Sequence, residues 1–136
     1  MSKSIEDIKH DLIRFISLFH RLFTPAFKRE NNEKHNCTKN QIKAIMIIGK
    51  AKKITPTLLG KCMDMEKGSI TSLINSMEVL NLVYKENDLK DKRKIWIQLT
   101  DEGYKYYLDK DKIFVKQLEK LFSTVSNEEI LEFSNS

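Results

Sequence analysis

The chain has 136 residues, 40% hydrophobic and 32% charged, with only 4 Gly and 2 Pro. That composition predicts one mainly helical domain with a real core and excludes a loop-rich or disulfide-held scaffold. The charged start and spaced apolar residues match neither a signal peptide nor a membrane span, so a cytoplasmic protein with Cys37 and Cys62 as reduced thiols is expected.

Ile5, Ile8, Leu12, Phe15, Ile16, Phe19, Leu22 and Phe23 recur at three- and four-residue steps and predict one long amphipathic helix. Pro25 should end or kink it near Phe23, or restart a helix with Thr24 as N-cap. After the polar connector ENNEKHN, Thr38 and Gln41 have capping-box spacing, and Ile42, Ile45, Met46 and Ile48 form the next apolar face. Gly49, in GKAKK, is expected to break that helix. Thr55 and Pro56 then start a short one that is expected to give Leu58 to the core, and the brief turn MDME leads into a longer helix with Ile70, Leu73, Ile74, Met77 and Leu80 as its buried stripe. Asn81 stands where a left-handed terminator is needed.

LVYKE and KIWIQL read as two strands joined by NDLKDKR, with Ile95, Ile97 and Leu99 on one face and Lys94, Trp96 and Gln98 on the other. Thr100 caps a long helix whose apolar side carries Tyr104, Tyr107, Leu108, Phe114, Leu118, Leu121 and Phe122. A second capping box, Ser126 to Glu129, opens a last short helix through Ile130, Leu131 and Phe133.

Two short helices joined by a tight turn and followed by a hairpin suit a winged helix-turn-helix. The charge agrees with that reading. Residues 40–100 hold 11 Lys and Arg against 6 Asp and Glu, while the balances of residues 1–39 (+3) and 101–136 (−3) offset each other. A basic centre suits an anionic partner, or otherwise a solvated lysine-rich surface.

Asp91-Lys92-Arg93, five residues, then Leu99-Thr100-Asp101-Glu102-Gly103 resembles the wing motif of the MarR (multiple-antibiotic-resistance regulator) family. TPTLLGKCMDMEKGSITSLINSMEVLNLV resembles its helix-turn-helix, with Asn81-Leu82-Val83 where the family usually has Gly-Leu-Val. The likeness runs from about Ile5 to Phe133. It implies one domain over 1–136: a winged helix-turn-helix at about 38–100, and a helical dimerisation region at about 1–30 and 101–136. It further implies a homodimer gripping a pseudo-palindromic double-stranded DNA operator, and regulation, most simply repression, relieved by a small-molecule effector. Arg93 would then enter the minor groove with Asp91 steadying its guanidinium, a pairing suited to a narrow, negative groove.

The predicted recognition helix, about 67–80, departs from the family pattern. Lys67 is its one basic residue, Ser72 stands where an arginine is frequent, and Glu66 where a serine is common. Base readout is therefore assigned to Ser69, Thr71, Ser72 and Asn75. Affinity is assigned to Lys67, to Lys50, Lys52, Lys53 and Lys61, and to Lys90, Asp91, Lys92 and Arg93 of the wing. The sparse charge keeps a rival reading open, a winged-helix protein-interaction module without specific DNA binding.

The remaining chemistry is thin. Cys62 reads as a small core residue and Cys37 as a loop thiol near Lys34, His35 and Lys39. His10, His20 and His35 lack metal-ligand spacing, so no metal or other cofactor is expected. Trp96 reads as packed on a helix, the alternative being the wing's outer face, against phosphate. Tyr104, Tyr106 and Tyr107 read as core or dimer packing, the alternative being an effector pocket. No nucleophile–base set and no glycine-rich phosphate loop points to an enzyme.

Overall fold

Thr38 and Gln41 cap each other in the way their spacing predicts. The Thr38 hydroxyl accepts the Gln41 amide at 3.1 Å, and the Gln41 side chain accepts the Thr38 amide at 2.8 Å. In this computed structural model, which describes residues 4–23 and 36–123, that box starts α2 (Lys39–Ala51). Before it lies α1 (Ile5–Phe23). After it come β1 (Lys53–Ile54), α3 (Pro56–Met63), α4 (Lys67–Val79), β2 (Val83–Asn87), β3 (Ile95–Leu99) and α5 (Asp101–Ser123). The connector around Pro25, with Lys34 and His35, and the last helix over 126–133 lie outside the described residues, as do the side chains of Phe19, His20, Leu22, Phe23, Leu121 and Phe122.

The chain falls into two units, one within Arg29–Asp111 and the other comprising residues 1–28 and 112–136. In the first, the core is built from one face of each helix: Ile42, Ala44, Ile45 and Ile48 of α2, Leu59 of α3, and Ile70, Leu73, Ile74 and Met77 of α4. Leu82, just ahead of β2, and Val83 and Ile97 of the sheet close it. At a few kcal/mol per fully buried large side chain, this cluster is what holds the head together. In the second unit, α1 begins at Ser4, whose hydroxyl accepts the Asp7 amide.

Four expectations are corrected. Gly49 does not break α2, which continues to Ala51 and stops where Lys52 adopts a positive φ of 72°. Gly49 serves packing instead, because a Cβ there would collide with the Tyr107 ring. The wing is not a two-stranded hairpin alone: β1 pairs antiparallel with β3 through Lys53–Gln98 and Ile54–Ile97, giving the sheet order β1-β3-β2. Leu59 enters the core and Leu58, at 51% exposure, does not. Along α5, Tyr106 and Lys110 turn inward while Tyr104 and Leu108 stay exposed.

Left-handed residues follow α4 and α3, the first of them expected from the sequence. Asn81 takes φ 59°, the left-handed terminator after α4, and Asp64 takes φ 52° in the turn between α3 and α4. The result is mainly helical with a small three-stranded antiparallel sheet, in the helix-turn-helix and wing order.

Candidate nucleic-acid interface

The helix-turn-helix is fixed by a cap at the start of α3, by its turn and by a hydrogen bond from α2. Thr55 accepts the Leu58 amide at 3.2 Å to begin α3, with Pro56 at the first helical position. The turn closes when the Met65 amide reaches the Gly60 carbonyl at 2.9 Å. The buried Gln41, besides capping α2, donates from Nε2 to Ser76 Oγ at 3.0 Å, and Ser76 donates on to the Leu73 carbonyl. One residue thus ties the start of α2 to the last turns of α4, at about 1 kcal/mol per bond.

With Ile70, Leu73, Ile74 and Met77 turned inward, the opposite face of α4 is set by its period, and it presents Lys67, Ser69, Thr71, Ser72 and Asn75 to solvent. Thr71 donates to the Lys67 carbonyl at 2.9 Å, leaving its oxygen able to accept. Asn75 accepts from Lys85 Nζ at 3.1 Å, across from β2. Glu66, the N-cap, makes no side-chain capping bond, so the amides at the start of α4 lack a capping side chain there. A groove of about 800 Å³ runs between α3, α4 and the sheet, and Lys61, Lys67, Thr71 and Lys85 line it with Ile70 and Ile95.

The wing tip is organised by Asp88, a residue the sequence reading did not single out. Its Oδ2 accepts the amides of Lys90 (3.1 Å) and Asp91 (3.0 Å), and its Oδ1 accepts Trp96 Nε1 at 2.9 Å. Those bonds, that from Trp96 foremost, hold its carboxyl below its ordinary pKa. Two backbone bonds, Asp88 to the Lys94 carbonyl and Lys94 to the Asp91 carbonyl, close the turn. The signal available was an Asp two and three residues ahead of the amides it binds, a common turn device. Asp91 Oδ1 accepts the Arg93 amide at 3.0 Å and lies 3.5 Å from Arg93 Nε, while the Arg93 side chain is 94% exposed.

Lys90, Asp91, Lys92 and Arg93 therefore stand together on one exposed tip. Lys53 belongs to the wing as well, since β1 carries it onto the sheet. Its Nζ and that of Lys94 each lie 4.5 Å from the centre of the Trp96 ring. Trp96 is thus a half-exposed part of the wing surface beneath two lysines, rather than a plug against a helix. Lys50 and Lys52 are exposed where α2 ends, and Lys61 is exposed in the last turn of α3. The tip's hydrogen bonds described above lie within residues 88–96, and Lys85, nearer the base of the wing, bridges to α4.

The cysteines exchange their expected places: Cys62 is exposed and Cys37 is buried just ahead of the Thr38 cap. No group of three His, Cys, Asp or Glu side chains among the described residues could hold a metal ion. No described helix is long and apolar enough to cross a membrane.

The sequence model of the MarR family matches residues 35–94, from just before α2 to the wing tip. The HTH-type transcriptional repressor YetL of Bacillus subtilis (strain 168) is 28% identical to this chain, over 82% of each. Among solved structures, Streptococcus pneumoniae FabT in complex with DNA superposes with a TM-score of 0.79 at 20% identity, covering 93% of this chain and 90% of its own. The apo form of Escherichia coli MarR superposes with a TM-score of 0.67 at 18% identity, covering 99% and 94%. Staphylococcus aureus MepR F27L bound to an oligodeoxyribonucleotide gives 0.65 at 24%, covering 91% and 88%. Over residues 35–94 the chain is thus similar to the MarR family, and its fold matches those of the solved structures.

Proposed function

We propose that the chain is a dimeric, DNA-binding transcriptional regulator, most simply a repressor like the B. subtilis relative, and not an enzyme. One observation carries this reading: α4 turns Lys67, Ser69, Thr71, Ser72 and Asn75 outward while an arginine tip, held by Asp91, projects from the adjoining wing. A polar helix face of this length fits the major groove, and an exposed guanidinium suits the narrow minor groove beside it. That the solved relatives FabT and MepR were captured on DNA supports the same partner.

Lys67, Lys61 and the lysines Lys50, Lys52 and Lys53 then neutralise phosphates, and Ser69, Thr71, Ser72 and Asn75 face base edges. Lys90, Lys92 and Arg93 act at the wing, with Asp91 as the steadying carboxylate. Two heads in a two-fold dimer read two half-sites of a pseudo-palindrome, and an effector that changes their separation releases the DNA. A gel-shift titration of the full chain against DNA upstream of its own coding region tests the reading. A specific complex that resists excess unrelated duplex supports it; binding no tighter than to random duplex favours the protein-interaction module.

A further inference from the structure

We propose that Lys85, a wing residue, decides which base Asn75 reads, an inference that rests on the DNA-binding role just given. Lys85 Nζ lies 3.1 Å from Asn75 Oδ1 and 3.0 Å from Glu78 Oε1. Asn75 and Glu78 are three residues apart on α4 and so share one side of the helix, and the ammonium sits in the fork between them. An ammonium has donors and no acceptor, so the amide can meet it only through its carbonyl oxygen. The amide's NH₂ is left fully open to a ligand, while its oxygen is already accepting one bond. Lys85 is itself held in the ladder opposite Ile97, while Glu78 supplies the second anchor.

The consequence is chemical. An unconstrained asparagine pairs with adenine through both halves of its amide, taking the N6 donor and the N7 acceptor together. With one lone pair of Oδ1 taken by Lys85, the ammonium competes with any base donor for that oxygen, while the amide's two N–H donors stay open. Guanine, with acceptors N7 and O6 side by side, then becomes its best partner in the major groove; adenine's N6 donor must share the occupied oxygen, and cytosine presents a donor alone. Because Glu78 opposes the charge of Lys85, the pair adds little phosphate attraction, and its effect is on preference rather than on salt dependence.

The test is selection of duplexes from a randomised pool by the full-length wild type, Lys85→Arg, Asn75→Ala, and the charge-preserving pair Lys85→Met with Glu78→Gln. Asn75→Ala marks the position that Asn75 reads, as the one where base preference disappears. At that position, wild type and Lys85→Arg should select guanine. The Met/Gln pair should shift the ratio of adenine to guanine by about fivefold or more, with the salt slope unchanged. An unaltered base profile with evenly weakened binding would reduce Lys85 to a brace between β2 and α4 and overturn the inference, as would wild-type selection of adenine. A wild type that enriches no sequence overturns the DNA-binding reading itself, and this inference with it.

Discussion

Gly103 lies so close to the Leu82 carbonyl that a single added methyl would collide with it, and that same carbonyl accepts the Thr100 amide at 3.0 Å. The Thr100 hydroxyl completes the joint, donating to the Asn81 carbonyl at 2.6 Å and accepting the Gly103 amide at 2.9 Å. The glycine of the Leu-Thr-x-x-Gly pattern is therefore a steric requirement for seating the start of α5 on the chain between α4 and β2. Gly103→Ala should cost about 1–3 kcal/mol or more, since backbone must move to make room. Urea unfolding followed by circular dichroism would measure it; a loss within ~0.5 kcal/mol would mean that the joint relaxes freely.

Much of this arrangement was legible beforehand, and the failures share a cause. Caps at Thr38, Thr55 and Thr100 and the terminator at Asn81 depend on neighbours within four residues, so local spacing revealed them. Gly49 misled because its role is set by Tyr107, far along the chain, and in a sequence a glycine that admits a ring looks like a glycine that ends a helix. The two-residue β1 is too short to show a period. In α3, eight residues leave the phase of the buried face open by one position, enough to exchange Leu58 for Leu59 and to turn Cys62 outward. At the candidate site, the exposed face of α4 followed from its apolar stripe. The roles of Asp88 and Lys85 did not, because both act through residues on another element or another strand.

The wing tip should respond to acid through Asp88. Its carboxylate form receives the Trp96 and backbone bonds, so its folded pKa lies below the value of about 4 typical of an unfolded chain. The contribution to stability is thus fully present above that unfolded value and is lost as the pH falls through the lower folded one. Trp96 is the sole tryptophan, so its fluorescence reports the tip directly. Emission should hold steady from neutrality down to about pH 4 and change below it, whereas Asp88→Ala should show the altered emission already at pH 7. A transition centred near pH 6 would assign the response to another group.

Wing and lysines should separate in binding experiments. Arg93→Ala should weaken operator binding by roughly 1–3 kcal/mol with the dimer still folded, and Asp91→Ala should act in the same direction but less. Neutralising Lys50, Lys52 and Lys53 should weaken binding to every sequence and flatten the salt slope by about 0.9 for each phosphate no longer neutralised. Thr71→Ala should move site preference instead. Lysine variants that changed preference while Thr71→Ala did not would reverse the assignment of α4 to base readout.

Dimerisation through α1 is expected. Ile5, Leu12 and Ile16 lie on one stripe of this helix with Ile8 and Phe15 between them, and the first three are 85%, 42% and 52% exposed in a single chain. Water against such a stripe costs roughly 25 cal/mol for each Å² of apolar surface, and a mate related by a two-fold axis shields both copies from it at once. The same axis doubles the DNA contacts. One head alone makes half of them, whereas a tethered second head binds at high effective concentration, worth roughly 10²–10⁴-fold in apparent affinity. Leu12→Asp places a charge in the middle of the stripe, in a different unit from the winged head. It should therefore give monomers that keep the head's helical signal and lose operator affinity by about that factor. Sedimentation velocity at micromolar concentration, run beside the gel shift, reads both quantities. A Leu12→Asp chain that stays dimeric would move the interface elsewhere, and a monomer binding the operator as tightly as wild type would remove dimerisation from the mechanism.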